Sequence, residues 1–141
     1  YLGELPVSKS KQLCRKLEKL SRETSPIQLS VDQIGGAPSQ EEAKRLWLGF
    51  EPSAELENFR KAIENCCREL KIEADKKPFE SRITLSRSSD SQPVPKLQVK
   101  NHLKGFKVKG VSLIESRLGQ NGPSYHPVRK FALTAEQNAE T

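Results

Sequence analysis

Apolar residues recur along this chain with two different periods, and the period switches where turn-forming residues fall. In residues 8–23, Leu13, Leu17 and Leu20 step by four and three. That spacing predicts a helix with one apolar face. Ser8 is placed to cap it, and Thr24-Ser25-Pro26 to stop it, because proline pushes the preceding residue out of the helical region. Residues 27–34 then alternate strictly, Ile27, Leu29 and Val31 against Gln28, Ser30 and Asp32. A period of two predicts a half-buried strand. Gly35-Gly36-Ala37-Pro38-Ser39 reads as the turn that follows it. Residues 44–50 read as the returning strand of a hairpin, with Leu46, Leu48 and Phe50 on one face and Arg45, Trp47 and Gly49 on the other.

The clearest helix opens at Pro52-Ser53. Leu56, Phe59, Ile63, Cys66 and Leu70 form one apolar stripe, and Glu51, Glu55 and Glu57 lie at the end where a helix dipole favours negative charge. Residues 79–87 read as a strand, residues 88–95 as a polar loop and residues 96–103 as a short helix. Residues 106–116 predict another strand, residues 119–124 a Gly/Asn/Pro turn, and residues 125–133 a last strand. Beyond Thr134 the chain turns polar and reads as a flexible tail over 135–141. Hairpins separated by helices indicate an α+β fold with antiparallel sheets.

Composition narrows the class. The 141 residues suffice for one domain over residues 1–134, and 34% apolar with 30% charged residues is polar without being disordered. No apolar run approaches the roughly 18 residues of a membrane span, so no membrane partner is expected. The first residues lack the basic start and apolar stretch of a secretory signal; with no Met in the chain, Tyr1 reads as a processed or truncated end. Cys14, Cys66 and Cys67 form no even framework, and no His stands near them at zinc spacing. They read as reduced thiols of a cytoplasmic protein, with no metal implied. Net charge is +6. Residues 1–71 carry 12 basic and 11 acidic side chains and residues 72–141 carry 12 and 7, so the excess favours an anionic partner in the second half.

Four segments in order carry a resemblance: Tyr1-Leu2-Gly3-Glu4-Leu5-Pro6 before a helix; Arg45-Leu46-Trp47-Leu48-Gly49 before the central helix; Phe79-Glu80-Ser81-Arg82-Ile83-Thr84-Leu85-Ser86-Arg87; and Val111-Ser112-Leu113-Ile114-Glu115-Ser116-Arg117-Leu118 with Gly122 and Tyr125 leading to Phe131. Together they resemble the 2H phosphoesterases, the superfamily of 2′-5′ RNA ligase-like proteins and RNA 2′,3′-cyclic phosphodiesterases. The resemblance implies two small antiparallel sheets in a bilobal, pseudo-twofold arrangement with helices packed outside. It implies two His-x-Thr motifs facing one cleft, one imidazole as general base and the other as general acid. The threonines would hydrogen-bond the phosphate and stabilise the charge developing on it. RNA ends or cyclic nucleotide phosphates are the implied partners, and hydrolysis needs no cofactor.

The chain departs from this pattern. The resemblance places the first His-x-Thr, with an opening strand and helix, before Tyr1. If the natural protein starts at Tyr1, a partner chain is expected to cover the open sheet. At the second motif Arg82 stands where the family has histidine, while Thr84 matches the family threonine. An arginine binds phosphate but stays protonated, so it accepts no proton. Loss of such a group costs about 10²–10⁴-fold in rate. Thr84 is therefore the expected catalytic-position residue, with Arg82 beside it as a phosphate ligand. Arg45, Arg87, Arg117 and Tyr125 match family positions near the cleft; for the arginines, an ordinary place on a strand-flanking surface is an equal reading. Trp47 either stacks on a base or packs. His102 and His126 belong to no His-x-Thr pattern and read as surface or packing residues. Two functions follow: an RNA-end phosphodiesterase impaired in this chain, or a non-catalytic module that binds RNA or nucleotide phosphates.

Overall fold

Helix α1 (Val7–Arg22) forms on the predicted stripe and buries Leu13, Cys14, Leu17 and Ser21. Pro6, not Ser8, occupies its N-cap, and no side chain caps the helix there. Proline suits that place because its missing N–H leaves one fewer donor to satisfy. Thr24 donates its hydroxyl to the Leu20 carbonyl at 2.7 Å and helps close the last turn. The protein is described by a computed structural model over residues 1–73, 75, 77–99 and 103–135. The predicted flexible tail therefore lies almost wholly outside the described residues, and so does His102.

After α1 come β1 (Ile27–Leu29), β2 (Val31–Pro38), β3 (Ala43–Phe50), α2 (Ala54–Glu69), β4 (Arg82–Gln92), β5 (Leu97–Gln98), β6 (Phe106–Val108), β7 (Gly110–Gly119) and β8 (Gly122–Ala132). The chain divides into two compact units. The first holds Tyr1–Ile27, Ala54–Lys76 and Val108–Thr141; the second holds Gln28–Ser53 and Lys77–Lys107.

The first unit contains both helices and the β7–β8 hairpin. Its core joins Leu13, Cys14 and Leu17 of α1 to Cys67, Ile72 and Phe131, with Ile63, Val111 and Leu113 packed around them. The α2 stripe is broader than its spacing predicts, because Cys67 is buried beside half-buried Cys66. Lys71 adopts a left-handed φ of 59° just past α2. The Ile72 N–H then donates to the Cys67 carbonyl at 2.9 Å and the Lys71 N–H to the Arg68 carbonyl at 3.0 Å. This closing motif satisfies the free carbonyls and turns Ile72 into the core. Lys16 of α1 and Glu69 of α2 form an ion pair.

The second unit contains a four-stranded antiparallel sheet in the order β4-β3-β2-β5. The predicted strand over 27–34 breaks at Ser30, whose carbonyl accepts the Glu51 N–H at 2.8 Å. Gly35 and Gly36 do not turn. They continue β2 opposite Trp47 and Leu46, and the reversal falls at residues 39–42. A Cβ on Gly35 would lie 2.3 Å from Trp47 Cζ2 and one on Gly36 2.6 Å from Ala43 Cβ, so Gly35 makes room for an indole and Gly36 for Ala43. β4 also runs past the expected loop to Gln92. Its polar residues tolerate the strand because every position on this edge is exposed. The expected short helix over 96–103 is replaced, among its described residues, by β5, whose Leu97 pairs with Ile34. Phe50 and Phe106 meet edge to face, centroids 5.5 Å apart. No helix among the described residues is long and apolar enough to cross a membrane.

Candidate phosphate site

Strand register decides which of the expected site residues share a surface. Residues directly opposite in an antiparallel ladder point to the same face, and positions i and i+2 on one strand do likewise. On β3 and β4, Gly49 pairs with Arg82, Leu48 with Ile83, and Trp47 with Thr84. The next pairs are Leu46 with Ser86 and Arg45 with Arg87, so one extra residue, Leu85, is bulged out of β4. In a regular ladder Arg87, three residues beyond Thr84, would face the other way. The bulge re-aims it. Arg45, Trp47, Arg82, Thr84 and Arg87 therefore share one face of the sheet. Ile34, Leu46, Leu48 and Ile83 share the other.

Trp47 is the floor of this face. Its indole lies over Gly35 and Gly49; a Cβ on Gly49 would sit 2.9 Å from Trp47 Cζ3. The Arg82 guanidinium covers the ring at 3.9 Å from its centroid, close enough for a cation–π attraction of about 0.5–1 kcal/mol at an exposed site. Glu80 accepts a hydrogen bond from Arg82 Nη1 at 2.9 Å. Arg82 is thus held by a ring below and a carboxylate at its side, in a fixed pose. Trp47 itself is only 6% exposed, so its packing role is met, and a base reaches its ring only by displacing Arg82. Its indole Nε1 is buried without a hydrogen-bond partner among the described residues.

The first unit arranges its two expected site residues differently. On β7 and β8, Arg117 pairs with Ser124 and Ser116 with Tyr125. Arg117 and Tyr125 therefore point to opposite faces of the hairpin. A register shift between Leu113 and Ile114, which bulges Val128, causes this: without it Tyr125 would stand opposite Arg117. Glu115 binds Arg117 Nε at 3.0 Å and Nη2 at 3.2 Å. That guanidinium holds the Glu115 carboxyl below its ordinary pKa, and Glu115 in return raises that of Arg117. His126 lies on the Arg117 face, opposite Glu115, with Nε2 3.1 Å from Ser124 Oγ. Tyr125 is 66% exposed on the outer face, beside Ile114 and Leu118.

Sequence reasoning missed Glu80 and the glycine seat. Glu80 lies just before β4, so spacing alone does not pair it with Arg82; the seat was hidden because paired glycines followed by proline imitate a turn.

No family model matches the chain. It is 28% identical over 149 residues to an RNA 2′,3′-cyclic phosphodiesterase of Thermus thermophilus, covering 99% of this chain and 72% of that protein. It is 22% identical over 145 residues to one from Geobacillus stearothermophilus, covering 100% of this chain. The chain spans only 46% of the Geobacillus protein's length. Among solved structures, a Thermus thermophilus protein superposes with a TM-score of 0.78 at 25% identity, over 96% of this chain and 75% of that one. Escherichia coli LigT complexed with 3′-AMP superposes at 0.74 and 22% identity, over 95% and 74%. Two helices and small antiparallel sheets in this order make the fold that of the LigT-like phosphoesterases. In sequence and fold the chain is similar to members of the 2H phosphoesterase superfamily.

Proposed function

We propose that this chain binds phosphate-bearing RNA ends or cyclic nucleotides, the class of molecule named for its curated relatives, and that it holds the phosphate without turning it over. The observation that carries the reading is the shared face of β3 and β4. Arg82 and Thr84 present a fixed cation and a hydroxyl to one anion, and Arg45 and Arg87 add charge beside them. Thr84 occupies the family's catalytic position and hydrogen-bonds a phosphate oxygen. Arg82 supplies charge where an imidazole would move a proton, so this position binds but does not catalyse. The two histidines of the sequence lie outside any His-x-Thr pattern. Three free cysteines fit a reducing cytoplasmic setting.

Hydrolysis of a 2′,3′-cyclic nucleotide, assayed beside binding of RNA ending in that group, tests this reading. Salt-sensitive binding with no turnover is expected. Turnover that survives His126→Ala would overturn the assignment of Arg82 as a lost acid–base position.

A second reading, in which a partner chain covers the hairpin, is favoured by the exposure of Ile114 (53%), Leu118 (89%) and Tyr125 (66%) on its outer face. A strictly monomeric mass in solution at high concentration counts against self-association as its source.

A further inference from the structure

We propose that a groove between α1 and β8 binds a small phosphomonoester dianion that carries no base, such as glycerol phosphate, either free or as the headgroup of an acidic lipid. Ser10, Lys11, Cys14 and Arg15 of α1 line it with Val128 and Arg129 of β8, and its volume is about 290 Å³. All six residues belong to the first unit and none to the β3–β4 face, so the site is independent of the Arg82 reading.

Three observations carry it. First, cations converge on one hollow. Lys11 and Arg15 are one turn apart on the same side of α1, and Arg129 meets them from β8. Like charges at that spacing destabilise a helix, and an anion between them reverses the effect. Cations without an ion pair occur elsewhere, Arg68 among them, but here three line one groove. Second, the carboxylate in this row is already shared. Positions 11, 15, 18 and 22 follow one another along α1. Glu18 takes Arg22 at 2.9 Å through one oxygen and Arg129 at 3.0 Å through the other. Lys11 and Arg15 form no ion pair among the described residues, so four positive charges stand against one negative. A dianion fits that excess better than a further carboxylate does. Arg129 gives only Nη2 to Glu18 and keeps other donors of its guanidinium fork, and Ser10 adds a hydroxyl. Third, β8 is bulged at the groove. Leu113 pairs with Arg129 and Ile114 with Pro127, which leaves Val128 unpaired in the groove wall. Arg129 lies 5.4 Å over the buried Phe131 ring, on the side of the hairpin that packs against α1, whereas Tyr125 is on the other side.

The same lining selects against a nucleotide. No aromatic ring is present to stack a base, and the volume falls at the lower bound of the roughly 300–1,000 Å³ usual for larger ligands. Val7, 72% exposed one turn before Lys11, and Val128, 48% exposed, flank the cations with apolar surface that a lipid headgroup could bring its chains against.

The test uses the full chain carrying Arg82→Ala, so that the β3–β4 face does not contribute. It is titrated calorimetrically with glycerol 3-phosphate at low salt, and floated with phosphatidylcholine vesicles that contain or lack phosphatidate. Saturable binding of glycerol 3-phosphate assigns a free ligand; binding to the phosphatidate vesicles alone assigns a headgroup. Dimethyl phosphate, a monoanion, is expected to bind roughly tenfold weaker than glycerol 3-phosphate, and Arg15→Ala to lower the affinity of whichever probe binds by roughly tenfold or more. Lys11→Glu is expected to abolish binding yet hold or raise the melting temperature, because a glutamate four residues before Arg15 makes a favourable helix pair. That variant separates lost binding from lost fold. Unchanged affinity in Lys11→Glu overturns the groove, and equal affinity for dimethyl phosphate overturns the dianion. Binding of adenosine 3′-phosphate without either glycerol probe overturns the exclusion of a base. If both glycerol probes bind only when Arg82 is intact, the groove is overturned and the β3–β4 reading stands; if neither binds in any form of the chain, the groove is overturned as well.

Discussion

The β3–β4 ladder and the β7–β8 hairpin each contain a one-residue bulge, and the two bulges act in opposite senses on the residues matched to the family site. At Leu85 the slip brings Arg87 opposite Arg45 and onto the face of Thr84. At Val128 it brings Ser124 opposite Arg117 and sends Tyr125 to the other side. The charges differ in the same way. Arg117 is gripped by Glu115 through two nitrogens, whereas Arg45 and Arg87 face each other with no carboxylate partner among the described residues. A basic composition therefore says little about where an anion binds. What matters is which cations the register gathers and which of them are already neutralised.

The largest effect that would sharpen this contrast is on stability. Leu13→Ala removes a fully buried side chain from the core of the first unit. It is expected to cost about 2–5 kcal/mol by denaturant melting while sparing phosphate binding under folding conditions. Gly35→Val should cost less, about 1–3 kcal/mol, because its Cβ collides with the indole. Unlike Leu13→Ala, it should abolish phosphate binding by tipping Trp47 from beneath Arg82. Retained binding in Gly35→Val would break the claim that the indole sets the pose of Arg82.

Next is a pair of binding variants. Arg82→Ala removes a charge-assisted hydrogen bond worth about 1.5–3 kcal/mol, or roughly tenfold to a hundredfold in the affinity of a phosphate-ended RNA. Arg117→Ala should change it by less than about twofold, since Glu115 already occupies that guanidinium. Comparable losses in the two variants, measured by calorimetry, would erase the distinction between the regions.

The smallest effect concerns pH. The hydrogen bond from Lys16 holds the Glu69 carboxyl below its ordinary pKa. A depressed carboxylate contributes stability that is present above its unfolded pKa and lost as pH falls through its folded one. The tie between α1 and α2 should therefore weaken only below the usual carboxylate range. Glu69→Gln should flatten the acid limb of the melting-temperature profile slightly and leave the neutral region little changed.

Sequence pattern was most informative where one period governed a long segment. Leu13 and Leu17 mark the buried side of α1, and Phe59 and Ile63 that of α2, because burial of one stripe decides both helices. It misled where local chemistry and tertiary space disagreed. Gly35-Gly36 has turn composition, yet a large ring against Gly35 and the Ala43 side chain against Gly36 make the absence of side chains useful within a strand. Residues 88–92 look like a loop, yet an exposed edge strand accepts polar side chains. In the candidate site, alternation was enough to put Arg82 and Thr84 together. It could not place Arg87 or separate Arg117 from Tyr125, because each depends on a bulge that spacing along a single strand does not reveal. Glu80 was missed because it becomes a partner of Arg82 only once both side chains are positioned.

The indole beneath Arg82 belongs to the sole tryptophan in the sequence. A ligand that draws the guanidinium away changes the charge nearest to the chain's dominant ultraviolet emitter. The protein thus carries an intrinsic optical reporter at the face where an anion is expected, and a shift in its emission can follow occupancy without any attached dye.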